Sequence, residues 1–75
     1  MRDEIRQNGK VMLSGEDGIS IPMIFKNLCG KNFSGTKYKD YIKHIAFGEM
    51  GLKPGEITLY RNGILVRTGK INIEK

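Results

Sequence analysis

Seventy-five residues, a net charge of +5 and 39% hydrophobic content describe one small basic domain, spanning 1–75, with a modest core. A chain of this size sits near the limit at which one core stabilises a fold, so association into a homodimer is expected. One cysteine excludes a disulfide framework or a cysteine-only zinc site. No apolar run reaches the length of a membrane span, and Met1-Arg2-Asp3-Glu4-Ile5-Arg6 lacks the features of a signal peptide. The expectation is a cytoplasmic protein that does not touch a membrane.

Residues 3–14 read as strand material broken by Asn8-Gly9, a pair suited to a tight hairpin turn. A first hairpin pairs Ile5-Arg6-Gln7 with Lys10-Val11-Met12, and the fuller strand is Lys10 to Ser14. Gly15-Glu16-Asp17-Gly18 reads as a turn, and Ile19-Ser20-Ile21 alternates like a half-buried strand that Pro22 ends. A short helix, about 22–29, follows, with Ile24, Phe25 and Leu28 on one side and Gly30 as a left-handed stop. A second helix, about 36–47, is capped by Ser34 or Thr36. Its Tyr38, Tyr41, Ile42, Ile45 and Ala46 fall within an arc of roughly 140°, which favours a core role for both tyrosines. Lys39 and Lys43 lie beside that arc, Lys37, Asp40 and His44 lie opposite, and Gly48 and Gly51 close the helix.

The most definite instruction lies between Lys53 and Thr68. Pro54-Gly55 is a turn signal, and Asn62-Gly63 joins two β-rich runs through a type I′ turn. A two-residue loop sets Arg61 against Ile64, Leu59 against Val66 and Ile57 against Thr68. Ile57, Leu59, Ile64 and Val66 then share one face, and Thr58, Tyr60, Leu65 and Arg67 the other. Gly69 reads as a break, after which Lys70 to Glu74 forms a third strand or continues the second through a bulge. The fold class is therefore α+β: an N-terminal hairpin, two helices, and a C-terminal antiparallel hairpin or three-stranded meander.

Few groups suit catalysis. Cys29 and His44 are the candidate nucleophile, base or soft ligand, and nothing in the spacing joins them. Cys29 reads as a core residue and His44 as a surface residue one turn after Asp40. Glu16 and Asp17 splay apart in a turn. Gly30 to Lys37 has the glycine spacing of a phosphate-binding loop, but its lysine and hydroxyl residue come in the wrong order. A non-enzyme without cofactor or metal is expected.

Charge carries the remaining signal. Residues 1–22 hold three basic and four acidic side chains, residues 23–55 six lysines against Asp40 and Glu49, and residues 56–75 four basic against two acidic. The excess beyond residue 22, interleaved with Tyr38, Tyr41 and Tyr60, points to an anionic partner. Lys31, Lys37, Lys39, Lys43, Arg61 and Arg67 are the candidate nucleic-acid contacts, the lysines on phosphates and the hairpin arginines near the duplex. Double-stranded DNA is the leading partner, docking of a protein partner, as in a small phage- or plasmid-type inhibitor, a second, and RNA a third.

Two segments resemble the swapped-hairpin DNA-binding regulators typified by AbrB and the MazE antitoxins. Lys10-Val11-Met12-Leu13 through Ile19-Ser20-Ile21-Pro22, the helix to Gly30, and Gly51-Leu52-Lys53-Pro54-Gly55-Glu56 with the hairpin to Thr68 follow that family's order. The resemblance implies an interlocked homodimer with a basic DNA-binding face. Gly18 stands where the family has a DNA-contacting arginine, and residues 31–50 are an insertion that supplies lysines instead.

Overall fold

A computed structural model describes residues 1–32 and 35–71. Its elements run β1 (Asp3–Gln7), β2 (Lys10–Gly15), α1 (Ser20–Leu28), α2 (Gly35–Tyr41), a π-helical segment (Ile42–Glu49), β3 (Gly55–Arg61) and β4 (Ile64–Ile71). The strands form one antiparallel sheet in the order β2-β1-β3-β4. The chain is α+β, with an N-terminal hairpin, helices and a C-terminal hairpin in one sheet.

Both hairpins turn on Asn-Gly, with φ of 55° and 76° at Asn8 and Gly9 and 53° and 82° at Asn62 and Gly63. These positive values are what a type I′ turn requires. β1 is polar at first sight, yet Asp3, Ile5 and Gln7 are all buried on the helix side of the sheet. Gln7 survives there because its amide nitrogen donates to the Lys53 carbonyl at 2.7 Å and its Oε1 accepts from the Lys53 N–H at 2.8 Å. A buried polar side chain is tolerated when its donors and acceptors are met. Ile5, Ile57, Leu59 and Ile71 of the sheet, Ile21, Phe25 and Leu28 of α1, Ile42 and Ala46 of the π-helical segment, and Leu52 make the core. Tyr38, Tyr41 and Phe47 pack against it half-buried.

The expected strand at Ile19–Ile21 is instead the start of α1. Asp17 Oδ1 accepts from the N–H groups of Ile19 and Ser20 at 2.9 and 2.8 Å, and its Oδ2 accepts from the Ser20 hydroxyl. Pro22 then sits in the first turn, where its missing N–H has no intrahelical acceptor to lose. Ile21 turns into the core while Ile19 stays exposed, as helical winding demands and strand alternation forbids.

The second helix also departs from expectation. After Tyr41 the coil widens, passes through Gly48, and closes with the Met50 N–H on the Ile45 carbonyl at 2.9 Å before Gly51 at φ +72°. No residue in this segment requires the wider winding, and we have no physical account of it.

The third correction is register. Arg61 faces Ile64 and Tyr60 faces Leu65 as expected, but a bulge then leaves Val66 unopposed, so Leu59 meets Arg67 and Ile57 meets Gly69. Val66 is consequently exposed rather than packed with Leu59, while Ile64 keeps its expected partner and is exposed beside the turn. Gly69 does not break the strand, which runs on to Ile71. The expected extension through residues 72–74 lies outside the described residues. A second bulge, at Met12, interrupts β2, so both edge strands are irregular, a common defence against edge-to-edge pairing. No described helix is long and apolar enough to cross a membrane.

Candidate nucleic-acid interface

The site begins with how α1 ends. Gly30, at φ +76°, donates its N–H to the Asn27 carbonyl at 3.1 Å, and the Lys31 N–H donates to the Lys26 carbonyl at 3.0 Å. This pair of bonds is a Schellman motif, and it folds Lys31 back beside Lys26. Two ammonium groups thus gather at the helix C-terminus, where the carbonyl ends favour cations.

The β4 bulge supplies the third cation. A shift of one residue moves every later side chain to the opposite face. Without the bulge Arg67 would stand with Tyr60 on the open face; with it, Arg67 stands opposite Leu59 on the helix side. There Phe25, Lys26, Cys29, Lys31 and Arg67 line a groove of about 260 Å³ with the Thr68–Lys70 stretch of β4. A second groove of about 200 Å³ continues it between α1 and β4 toward Pro22, Val66 and the Asp3–Arg61 pair. The floor depends on Gly69, since a Cβ there would collide with Cys29 Sγ and stand 3.0 Å from Phe25 Cζ. The Cys29 thiol is pushed up by burial, partly opposed by a hydrogen bond from the Lys70 backbone and by Lys31 and Arg67.

α2 docks at the same end. The Tyr38 hydroxyl donates to the Leu28 carbonyl at 2.6 Å, and its ring would be 3.5 Å from a Cβ on Gly30. Lys37 and Lys39 flank Tyr38, and Lys43 follows one turn after Lys39; all three are exposed.

The acids of β1 are ion-paired. Glu4 takes Arg2 at 3.0 Å and Arg6 at 2.6 Å, Glu16 approaches Arg2 at 3.9 Å, and Asp3 takes Arg61 at 2.7 Å. The hydrogen bonds from Arg2 and Arg6 hold the Glu4 carboxyl below its usual range. Among the described residues every ion pair is made by Arg2, Arg6 or Arg61, and no lysine takes part. Arg67 also makes no ion pair among the described residues, and Asp40 is the one acid on α2, between Lys39 and Lys43 in sequence.

Of the candidate contacts expected from the sequence, Lys31 and Arg67 meet in the groove, and Lys37, Lys39 and Lys43 lie on the helix that docks beside it. Arg61, the remaining candidate, is already bonded inside the fold. Its Nε donates to buried Asp3 at 2.7 Å and its Nη2 to the Gly18 carbonyl at 3.1 Å, so the guanidinium is committed within the fold. Lys26 and Lys70 are additions that the sequence did not suggest. A lysine four residues before a helix-stopping glycine was the available signal for Lys26; nothing in the sequence placed Lys70 near Cys29.

A concavity of about 340 Å³ opens on the other face of the sheet around Arg6, Asn8, Pro54 and Tyr60. In it Arg6 bonds Glu4 and lies 4.0 Å from the Tyr60 ring centroid, and Gln7 holds Lys53. Among the described residues no three His, Cys, Asp or Glu side chains group as metal ligands. Cys29 is half-buried in the groove and His44 exposed on the π-helical segment.

The chain belongs to the DUF7688 family, a domain of unknown function, whose model matches residues 2–72. No curated protein and no solved structure matches it.

Proposed function

We propose that this protein is a small DNA-binding regulator that grips the phosphates of a duplex through the cationic end built from Lys26, Lys31, Arg67 and the α2 lysines. The observation that carries the reading is the segregation of charge. The acids of β1, Asp3 and Glu4, are paired with Arg61, Arg2 and Arg6, and no described lysine is ion-paired, which supports a role for the lysines at the far end of α1 toward an outside polyanion. Each phosphate neutralised releases condensed counterions, so affinity of this kind falls steeply with salt. The groove itself holds no array of donors that would read base edges, so phosphate contacts dominate the interaction.

The test is a titration of mixed-sequence duplex at several salt concentrations. Log affinity falls linearly with log salt, and Lys31→Ala with Arg67→Ala together lower the slope by about two, near 0.9 for each phosphate no longer neutralised. Absence of duplex binding at low salt, or a slope unmoved by the double substitution, removes the reading. Tighter binding to single-stranded or duplex RNA under the same conditions transfers it to RNA.

A further inference from the structure

Most of the large apolar side chains left in solvent collect at the other end of α1. Met1, Ile19, Met23, Ile64 and Val66 are each between 53% and 69% exposed. A chain of short distances makes them neighbours. Met1 Sδ lies 2.9 Å from where a Cβ on Gly18 would stand, and Gly18 receives Arg61 Nη2 at 3.1 Å. Arg61 faces Ile64 across the hairpin. Ile19 and Met23 are one helical turn apart, joined by the Met23 N–H on the Ile19 carbonyl at 3.2 Å, and Val66 shares a groove wall with Pro22. Scattered exposed apolar residues mean little; a contiguous set marks a contact surface.

The charges bordering this patch are arranged in order. Before Ile19 stand Glu16, whose side chain is 76% exposed, and Asp17; beyond Met23 on the same stripe stands Lys26, with Arg67 beside it. The floor carries the mutually neutralised Asp3–Arg61 pair.

We propose that this end of the molecule is the contact surface of a two-fold homodimer in which α1 of one copy lies antiparallel to α1 of the second. A two-fold axis near Met23 sets the acidic margin of each copy against the basic margin of the other, with the apolar side chains between them. A closed isologous contact needs one patch to be complementary to itself, and the order acid, apolar, base along one helix provides that. A parallel arrangement sets like charges together. In this arrangement the second copy docks from outside the four-stranded sheet, and each copy keeps its own strand pairing. The inference shares Lys26 and Arg67 with the nucleic-acid reading, but its test uses no nucleic acid, so the two readings fail on separate measurements.

Sedimentation equilibrium or light scattering from micromolar to millimolar protein gives a mass that rises to twice the chain mass. Met23→Glu, and separately Ile64→Lys at the hairpin tip, each weaken the dimer at least about tenfold. Both positions are exposed in a single chain, so the circular dichroism spectrum is retained. Lys26→Glu and Glu16→Lys each weaken association, and the two combined associate more tightly than either alone. A monomer mass throughout, a dimer indifferent to both apolar substitutions, or a double charge reversal weaker than its parents overturns the proposal.

Discussion

Gly69 lies opposite Ile57 in the β3–β4 ladder, with Cys29 Sγ and the Phe25 ring pressed against the space a side chain would fill. Gly69→Ala therefore forces strand and helix apart. Overpacking of this kind costs about 1–3 kcal/mol, seen as a lowered thermal midpoint. Because the nearest obstacle is one sulfur atom, Cys29→Ala in the same chain makes room. The two substitutions together are less destabilising than their sum by about 0.5 kcal/mol or more, the coupling expected of residues that touch. Equal, additive losses would show that the collision is relieved elsewhere. The sequence alone reads Gly69 as a break, since glycine weakens a strand. Its other meaning, close approach of a neighbour, needs the neighbour, and that lies forty positions away at Cys29.

At the scale of elements, Arg61 fastens the tip of the second hairpin to the first strand. Its bonds to Asp3 and Gly18 act beside one backbone bond, from the Asn62 N–H to the Arg2 carbonyl at 2.8 Å, and one side-chain bond, in which Asn62 Oδ1 accepts from the Arg2 N–H at 3.0 Å. Lysine cannot reproduce this fork, since an ammonium is a single point donor and the guanidinium is planar with five. Arg61→Lys therefore lowers the thermal midpoint although charge is conserved, and an unchanged melt would mean the clip is idle. Both hairpins, their turn residues and the stop at Gly30 were legible in the sequence because Asn-Gly and a terminal glycine act locally. The bulge at Val66 was not, since nothing at positions 64–67 marks it; it follows from packing Gly69 and Ile71 against α1 and the core. That single irregularity decides whether Arg67 joins Tyr60 or Lys31. The site was therefore legible as a set of cations but not as a groove. Helix α1 was misread at its start because Ile19-Ser20-Ile21 alternates in polarity, while the instruction that wins is the carboxylate of Asp17 capping the helix.

For the whole molecule, pH reports the two kinds of titrating group together. The Asp17 carboxyl is lowered from 3.8 to about 2, first by the Ser20 hydroxyl and then by the N–H groups of Ile19 and Ser20. Glu4 is lowered from 4.5 by Arg2 and Arg6. A folded-state value below the unfolded one contributes stability that is complete above the unfolded value and is lost as pH falls through the folded one. Stability thus declines as pH falls into the ordinary carboxylate range, and for Asp17 the loss is complete only below the folded value of about 2. At the other extreme, burial raises Cys29 above 9.0 and Tyr41 above 10.0. For a raised value the sign reverses: the contribution is present below the unfolded value and is lost as pH rises through the folded one. The thermal midpoint is therefore flat from about pH 5 to 8 and falls on either side. Two substitutions separate the limbs. Asp17→Asn keeps a capping oxygen but cannot titrate, so the acid limb becomes shallower while the plateau changes little. Cys29→Ala removes the first alkaline step and leaves the acid limb in place. An acid limb unchanged by Asp17→Asn would mean that α1 does not depend on the ionised cap, and the helix start, with the apolar stripe it sets in solvent, would need another cause.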